Sequence, residues 1–512
     1  MPAVSGKKPR CIRAIDLGTS GAKSALVTTS GRVLGCEIEK FPLRLLPEGG
    51  AEQDPEDWWK AVVTSSRKIL NRRLVPAEDI VAVSCTAQWS DTVPVGTKGK
   101  HLRNAIIWMD SRGSGYIEDI TGGFLRIAGH GIGKLPKFIR LTGGIPAHSG
   151  KDSLAHILYI KHVHPDIYDR TYKFLEPKDY INLRLTGYFM SSFDTITLHW
   201  VTDNRDIARV AYDDRLIRIS TLDREKLPEL GRAVDILGTL QEGVADELGL
   251  EKRVKVLIGT PDMHTAALGS GAVRDFEAHL SIGSSSWLTC HLPAKKTDLF
   301  HNMASLPSAI PGRYFLTDAE IYRRFEKTVA RVPAGSDGVL FTPWLYDERT
   351  PVENHLLRAT YCNLSLCHNR AHLLRAVYEG VAFNTRWLLK YVEKFTRRKL
   401  PSIRMIGGGA VSRAWCQIHA DVCNRIMEQV EDPLMSNLRG AAFIASVSLG
   451  FINFEDIPRC VRISRVFEPQ GKTRDLYDRL FEEYLALYRK TKEYVPGSTK
   501  ASLALLTEDP HE

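Results

Sequence analysis

Arg13-Ala-Ile-Asp-Leu-Gly-Thr-Ser-Gly-Ala-Lys23 reads as a strand that runs into a Gly/hydroxyl turn and leaves it as a second strand. The pattern returns in the other half of the chain as Ala278-His-Leu-Ser-Ile-Gly-Ser-Ser-Ser-Trp287. Each stretch puts small residues and hydroxyls where the backbone reverses, so free N–H groups can converge on an anion. Two such turns predict two similar lobes closing on one polyphosphate.

Working outward, residues 12–29 alternate apolar and polar, and Ser30-Gly31 supplies a hairpin turn. Asp54 and Pro55 then open a helix as N-cap and first residue, with Trp58, Val62, Ile69 and Leu70 as its buried stripe. Ile80–Thr86 and Val254–Gly259 are β-rich apolar runs of the kind buried on both faces of a sheet. Strands alternating with helices predict α/β layers. A boundary near Gly269–Arg274 gives domains over 11–272 and 273–465. A C-terminal helix lies within 466–495, with Leu476, Leu480, Phe481, Tyr484, Leu487 and Tyr488 on its apolar side, and 496–512 is a polar tail.

The chain has 512 residues, 43% of them hydrophobic and 25% charged, which is enough for a large core in at least two domains. Its net charge of +9 is a mild excess over this length, and no basic–aromatic nucleic-acid module is present. The nine cysteines are scattered without a CxxC pair, which argues against a disulfide framework or a zinc site. No stretch is long and apolar enough to span a bilayer, and the N-terminus lacks a signal-peptide core. A cytoplasmic protein with neither membrane nor nucleic-acid partners is expected.

Three places carry chemistry. Asp16 ends a strand at the mouth of the first turn, where a carboxylate beside phosphate calls for a cation between them. Thr19, Ser20 and Lys23 would face the phosphates. In the competing reading Asp16 merely bonds neighbouring N–H groups. Asp262, in Gly259-Thr-Pro-Asp-Met-His264, follows an apolar strand and suits a general base, a helix N-cap, or both. Ile406-Gly-Gly-Gly-Ala-Val-Ser412 lets backbone approach a flat or phosphorylated ligand, with Ser412 capping the next helix. The small residues of Ser436-Asn-Leu-Arg-Gly-Ala-Ala442 leave space for a bulky ligand or for close helix packing.

Taken together these segments resemble the FGGY carbohydrate kinases of the actin-like, ribonuclease H-like ATPase superfamily, from about Arg13 to Tyr488. The resemblance is carried in order by Asp16-Leu-Gly-Thr-Ser20, Ala51-Glu-Gln-Asp-Pro-Glu-Asp-Trp-Trp59 and Ile107-Trp-Met-Asp-Ser-Arg112. It continues through Asp179-Tyr-Ile-Asn-Leu-Arg-Leu-Thr-Gly187, Gly259-Thr-Pro-Asp262, Ser281–Ser286, Gly407–Ser412 and Gly440–Ala442. Within the family it is most similar to the xylulokinase branch. It implies two actin-like domains with a cleft between them, and ATP-dependent phosphorylation of a ketose or polyol hydroxyl. Asp262 matches the catalytic base and Asp16 the carboxylate linked to Mg2+. Gly18, Thr19, Ser20 and Lys23 match the first phosphate loop, and Gly283, Ser284 and Ser285 the second. Gly407, Gly408, Gly409 and Asn437 fall in the adenosine part. Gln88, Trp89, Ser90, Trp108, Asp110 and Arg112 fall in the sugar pocket. The implied partners are a sugar or polyol and ATP, with the chain acting as monomer or homodimer.

The chain departs from the pattern at several points. Xylulokinases carry Met-His where it has Trp89-Ser90, followed by Asp91, and Asn where it has Met263, so the preferred sugar is open. After Pro311–Phe315 it passes almost directly to Val332–Gly338, where the family has a longer segment with a Gly-entered helix of the nucleotide site. Asp347 replaces a usual Gly, and Ala359 follows Arg358 where Gly is common. Either Phe315–Ala330 substitutes for the missing helix, or the chain is an impaired relative that binds sugar or regulates.

Overall fold

The computed structural model describes residues 10–494 except 128–129, 283–285, 299–302, 317–328, 330, 346–349, 353 and 355–356. Two sheets organise the molecule. The first has six strands: β1 (Cys11–Gly18), β2 (Gly21–Thr28), β3 (Val33–Lys40), β4 (Ile80–Ala87), β5 (Ile236–Thr239) and β6 (Lys255–Leu257), in the order β5-β6-β4-β1-β2-β3. β1, β2 and β3 pair antiparallel, whereas β1, β4 and β6 run parallel.

The second sheet repeats this plan. It is built from β7 (Ala278–Ile282), β8 (Ser286–Leu292), β9 (Tyr314–Leu316), β10 (Ser402–Ile406), β11 (Ile426–Val430) and β12 (Ile463–Phe467), in the order β9-β8-β7-β10-β11-β12. Here β7, β8 and β9 are antiparallel neighbours and β7, β10 and β11 are parallel, as in the first sheet. Each sheet ends on one more antiparallel strand, β5 beside β6 and β12 beside β11. Thr297–Asp298 and Met303–Pro307 extend the far edge. The strand pairs β1–β2 and β7–β8, which flank the two turns in sequence, therefore occupy equivalent places.

The side-chain period of the strands explains the layers. Ile12 and Ala14 of β1, with Ala25 and Val27 of β2, face one side of the first sheet, while Ile15, Leu17 and Leu26 face the other. Helix α1 (Pro55–Asn71) covers the Ile15 side, contributing Trp58, Val62 and Ile69. Asp54 is its N-cap and accepts from Glu56 N at 2.9 Å, with Pro55 first in the helix as the sequence predicts. The other side is covered by a helix from the opposite half of the chain. Leu438, Ala441, Ala442 and Ala445 of α6 (Ser436–Ser448) pack on Ile12, Ala14, Ala25 and Val27. Helix α3 (Asp262–Ser270), which follows β6, sends Ala266 and Leu268 against Ile406 and Val430 of the second sheet. The lobes thus exchange coverage.

Between these, α2 (Pro177–Thr186) lies beside β4. In the second lobe α4 (Arg370–Thr396) and α5 (Arg413–Cys423) lie against each other, and α7 (Arg474–Tyr494) seats Tyr477, Phe481 and Tyr484 in the core they form. Residues 88–235 form an insertion of helices and short strands with a core around Trp89, Phe138, Leu158 and Trp200. No described helix is long and apolar enough to cross a membrane, and all nine cysteines are free thiols.

The small residues of Ser436–Ala442 serve close packing. A Cβ on Gly440 would sit 1.9 Å from Thr265 O, and one on Gly269 would sit 1.7 Å from Ser436 O. Helices α3 and α6 thus cross backbone against backbone. Arg439, 6% exposed, donates to the carbonyls of Gly31 (3.3 Å), Gly269 (3.1 Å) and Glu431 (2.9 Å), joining both lobes at the crossing. Gly440→Val is expected to destabilise by about 3 kcal/mol, the upper end for overpacking a tight contact. A clear fall in melting temperature checks this, and a wild-type melt would contradict the crossing as drawn.

Candidate active site

The first turn joins two strands in direct register, Asp16 opposite Lys23 and Gly18 opposite Gly21, with Thr19 and Ser20 at the tip. Lys23 Nζ donates to Asp16 Oδ2 at 2.6 Å. The Asp16 charge holds the Lys23 ammonium above its ordinary pKa. The hydroxyl tip stays reachable, Thr19 half-buried and Ser20 exposed.

Asp262 enters the same corner from β6. The connection is held by buried polar groups. Lys178 of α2, itself paired with Asp179, donates to Ile258 O at 3.0 Å. Thr86 Oγ1 of β4 donates to Thr260 O at 2.8 Å, and Thr260 Oγ1 donates to the Asp194 carboxylate. Helix α3 begins at Asp262, with Pro261 rather than Asp262 at the N-cap, so the capping role read from the sequence is not taken; Asp262 Oδ1 accepts from Met263 N at 2.8 Å. Burial and then the Asp16 charge push the Asp262 carboxyl up to about 7. A carboxyl titrating there is matched to proton transfer near neutral pH.

The predicted sugar residues divide into two groups. Gln88 and Trp108 belong to the corner: Trp108 Nε1 donates to Thr19 Oγ1 at 3.1 Å, and Gln88 N donates to Leu17 O at 2.8 Å. Trp89, Ser90 and Asp110 have their side chains bonded within the protein. Trp89 is 7% exposed, donates its indole N–H to Thr195 O at 2.8 Å, and packs edge-on against His264. Ser90 Oγ donates to Lys151 O at 2.7 Å. Asp110 accepts from Ala51 N at 2.8 Å and from the Arg112 guanidinium at 2.6 Å. Arg112 is further held by Glu52 at 2.7 Å, which also takes Arg103 at 2.5 Å, and it lies over the Tyr159 ring.

Several members of the corner were not signalled by the sequence. Gln53 Nε2 donates to Thr19 O at 2.7 Å and its Oε1 accepts from Trp58 Nε1 at 3.1 Å. Asp91 is fully buried between Gln88 and Trp108. Only spatial proximity joins these residues. His264, two positions after Asp262, stacks on Phe315, and burial lowers its pKa to about 3, which keeps it neutral.

On the opposite side β10 is followed by Gly407, in the left-handed region at φ +80°. A Cβ there would lie 2.7 Å from Ile282 O, the last described residue before the second turn. Gly407 N donates to Pro433 O at 2.9 Å. The run Gly407, Gly408, Gly409 thus meets both the end of β7 and the start of α6, where half-buried Asn437 is second in the helix. Ser412 caps α5 as predicted, accepting from Trp415 N at 3.2 Å. Gly283, Ser284 and Ser285, Asp347, and most of Phe315–Ala330 lie outside the described residues.

Comparison with known proteins agrees with this architecture. The profile of the FGGY family of carbohydrate kinases, N-terminal domain, matches residues 11–269, and that of the C-terminal domain matches 311–449. The xylulose kinase of Bacillus subtilis (strain 168) is 29% identical over 510 residues, covering 94% of this chain and 97% of that protein. Among solved structures, a gluconate kinase from Lactobacillus acidophilus superposes with a TM-score of 0.83 at 22% identity, covering 95% of this chain and 99% of the other. A xylulose kinase from the same organism gives 0.82 at 22% identity, covering 94% and 98%. With both domain profiles matched in order and the two-lobed fold in place, the chain belongs to the FGGY family of carbohydrate kinases.

Proposed function

We propose that this carbohydrate kinase transfers the γ-phosphoryl group of ATP to a hydroxyl of a neutral ketose or polyol, with xylulose as the first candidate and Asp262 as general base. The observation that carries the reading is Asp262 itself, held at the start of α3 beside the Asp16–Lys23 turn with a carboxyl near 7. Asp262 takes the proton from the substrate hydroxyl as that oxygen bonds to the γ-phosphorus. The bond from the γ-phosphorus to the bridging oxygen breaks, and ADP leaves. The N–H groups and hydroxyls of Thr19 and Ser20, with Lys23, orient the phosphates from one lobe. Gly283, Ser284 and Ser285 act from the other, and Gly407, Gly408, Gly409 and Asn437 hold the adenosine. Gln88 and Trp108 orient the sugar. Closing the lobes excludes water as a competing acceptor.

A neutral sugar is favoured over an acidic one because Lys23, Lys178 and Arg112 are each held by a carboxylate. An acidic substrate would also meet Asp16 and Asp262. Asp16 suits Mg2+, a hard cation that takes one or two carboxylates and completes its shell with phosphate oxygens and water. Among the described residues no group of three or more His, Cys, Asp or Glu could hold a metal ion alone, which agrees with a cation that arrives with the nucleotide. When bound, Mg2+ neutralises charge on the phosphates. The free thiols and the absence of an apolar span among the described helices support a cytoplasmic enzyme.

The short passage from Phe315 to Val332 favours a second reading, a relative that binds sugar without turning it over. ADP release on a panel including xylulose, other ketoses, polyols and gluconate decides. A neutral ketose or polyol should stimulate turnover, and Asp262→Asn should lower kcat by about a hundred-fold or more. Wild-type kcat/KM should rise with pH to a plateau above about 7. Sugar binding by calorimetry with neither Mg·ATP binding nor turnover would establish the second reading instead.

The same carboxyl predicts a stability effect. It titrates at about 7 in the fold against 3.8 when solvated, so the folded state keeps a proton that the unfolded chain has already lost. Stability from this group is fully present below 3.8 and is lost as pH rises through 7. In Mg2+-free buffer Asp262→Asn should therefore melt higher than wild type at pH 8, and the gap should shrink toward pH 5. A gap that does not change with pH would remove Asp262 as the perturbed group.

A further inference from the structure

A closed ring of hydrogen bonds runs beneath the candidate sugar site. It starts at Thr19 O in the phosphate turn, which accepts from Gln53 Nε2 at 2.7 Å. Gln53 Oε1 accepts from Gln88 Nε2 at 2.9 Å, and the same Nε2 donates to Asp91 Oδ2 at 2.7 Å. Asp91 Oδ1 accepts from Trp108 N at 2.8 Å, and Trp108 Nε1 returns to Thr19 Oγ1 at 3.1 Å.

The amide orientations are dictated by chemistry. Trp58 Nε1 can only donate, so the Gln53 atom it meets at 3.1 Å is the oxygen. Gln88 must then present nitrogen to that oxygen, and its second N–H goes to Asp91. Two donors therefore converge on Asp91, and only a carboxylate accepts from both. Gln88 Oε1 is left buried without a partner, on a residue 3% exposed. A lone acceptor of this kind calls for a hydroxyl donor.

We propose that Asp91 is a positioning residue. It closes this ring, fixing Gln88 with its carbonyl oxygen kept for a substrate hydroxyl and tying the sugar floor to the phosphate turn at Thr19. The proposal rests on the carbohydrate-kinase reading of the site. Asp91 N donates to Glu176 Oε2 at 2.9 Å, and Glu176 is bonded by Ser153, so the carboxylate is anchored from the insertion. The hydrogen-bond partners of the Asp91 carboxylate, Gln88 and Trp108, are neutral, and burial pushes its carboxyl well above the usual range. Packing alone would be served better by an apolar residue.

The test is a double-mutant cycle between Asp91→Asn and Gln53→Leu, which open the ring on either side of Gln88. Each should lower kcat/KM for the sugar by about ten-fold or more, and the double variant should be no worse than the weaker single. Wild-type activity in Asp91→Asn, or losses that multiply in the double variant, would overturn the proposal. If Asp91→Asn does not fold, Gln53→Leu with Trp108→Phe opens the same ring at two other bonds, and multiplying losses there overturn it equally. Hydrogen exchange of the Trp108 indole N–H in sugar-free protein separates the two readings. Asp91→Asn should speed it by about ten-fold, and unchanged exchange overturns the ring. A wild type that turns over no sugar removes the kinase reading alone, and the exchange then decides the ring.

Discussion

The contact on which the rest depends is the crossing of two helices whose backbones touch. Gly269 and Gly440 remove the side chains that would hold α3 and α6 apart, and each glycine lies against a carbonyl of the other helix. Van der Waals contact at this range leaves little freedom in the relative placement of the pair. Because α3 follows the last parallel strand of one sheet and α6 that of the other, fixing the pair fixes both sheets. It also sets the two helix starts relative to each other, with Asp262 on one and Asn437 on the other.

Electrostatics at that site follow from burial with incomplete pairing. Lys23 sits on Asp16, leaving the Asp262 carboxyl without a cation of its own. Asp91 and Glu176 lie deeper, in contact through a backbone N–H, and both are pushed well above the usual carboxylate range by burial.

Much of this was legible in the chain, for physical reasons that can be named. The strand-turn-strand signature at Arg13–Lys23 is local, with alternation and turn chemistry lying within a dozen residues, and the turn is where it was read. Asp262 was visible because a carboxylate after an apolar strand is rare without a task. Trp89, Ser90 and Asp110 read as pocket residues because of their position in a familiar run. Whether a polar side chain faces a ligand or a backbone carbonyl is decided by what lies across from it, here Thr195, Lys151 and Ala51. Gln53 and Asp91 stood in the quoted runs without a role, because Gln53 meets Thr19 and Gln88, and Asp91 meets Trp108, only in the folded chain. The glycine of Ser436–Ala442 allowed either a ligand or a helix beside it, and only the packed structure chooses the helix.

The exchange of helix coverage also bears on how the chain is made. The face of the first sheet carrying Ile12, Ala14, Ala25 and Val27 is closed by α6, and Arg439 binds Gly31 across a separation of 408 residues. During synthesis that apolar face emerges early and waits for almost the entire chain before its own cover leaves the ribosome. Native pairing of such distant segments is slow, and an open apolar sheet is prone to aggregate meanwhile. A nascent chain of this kind depends on protection over most of its translation, and a fragment ending at the first lobe would keep that face bare.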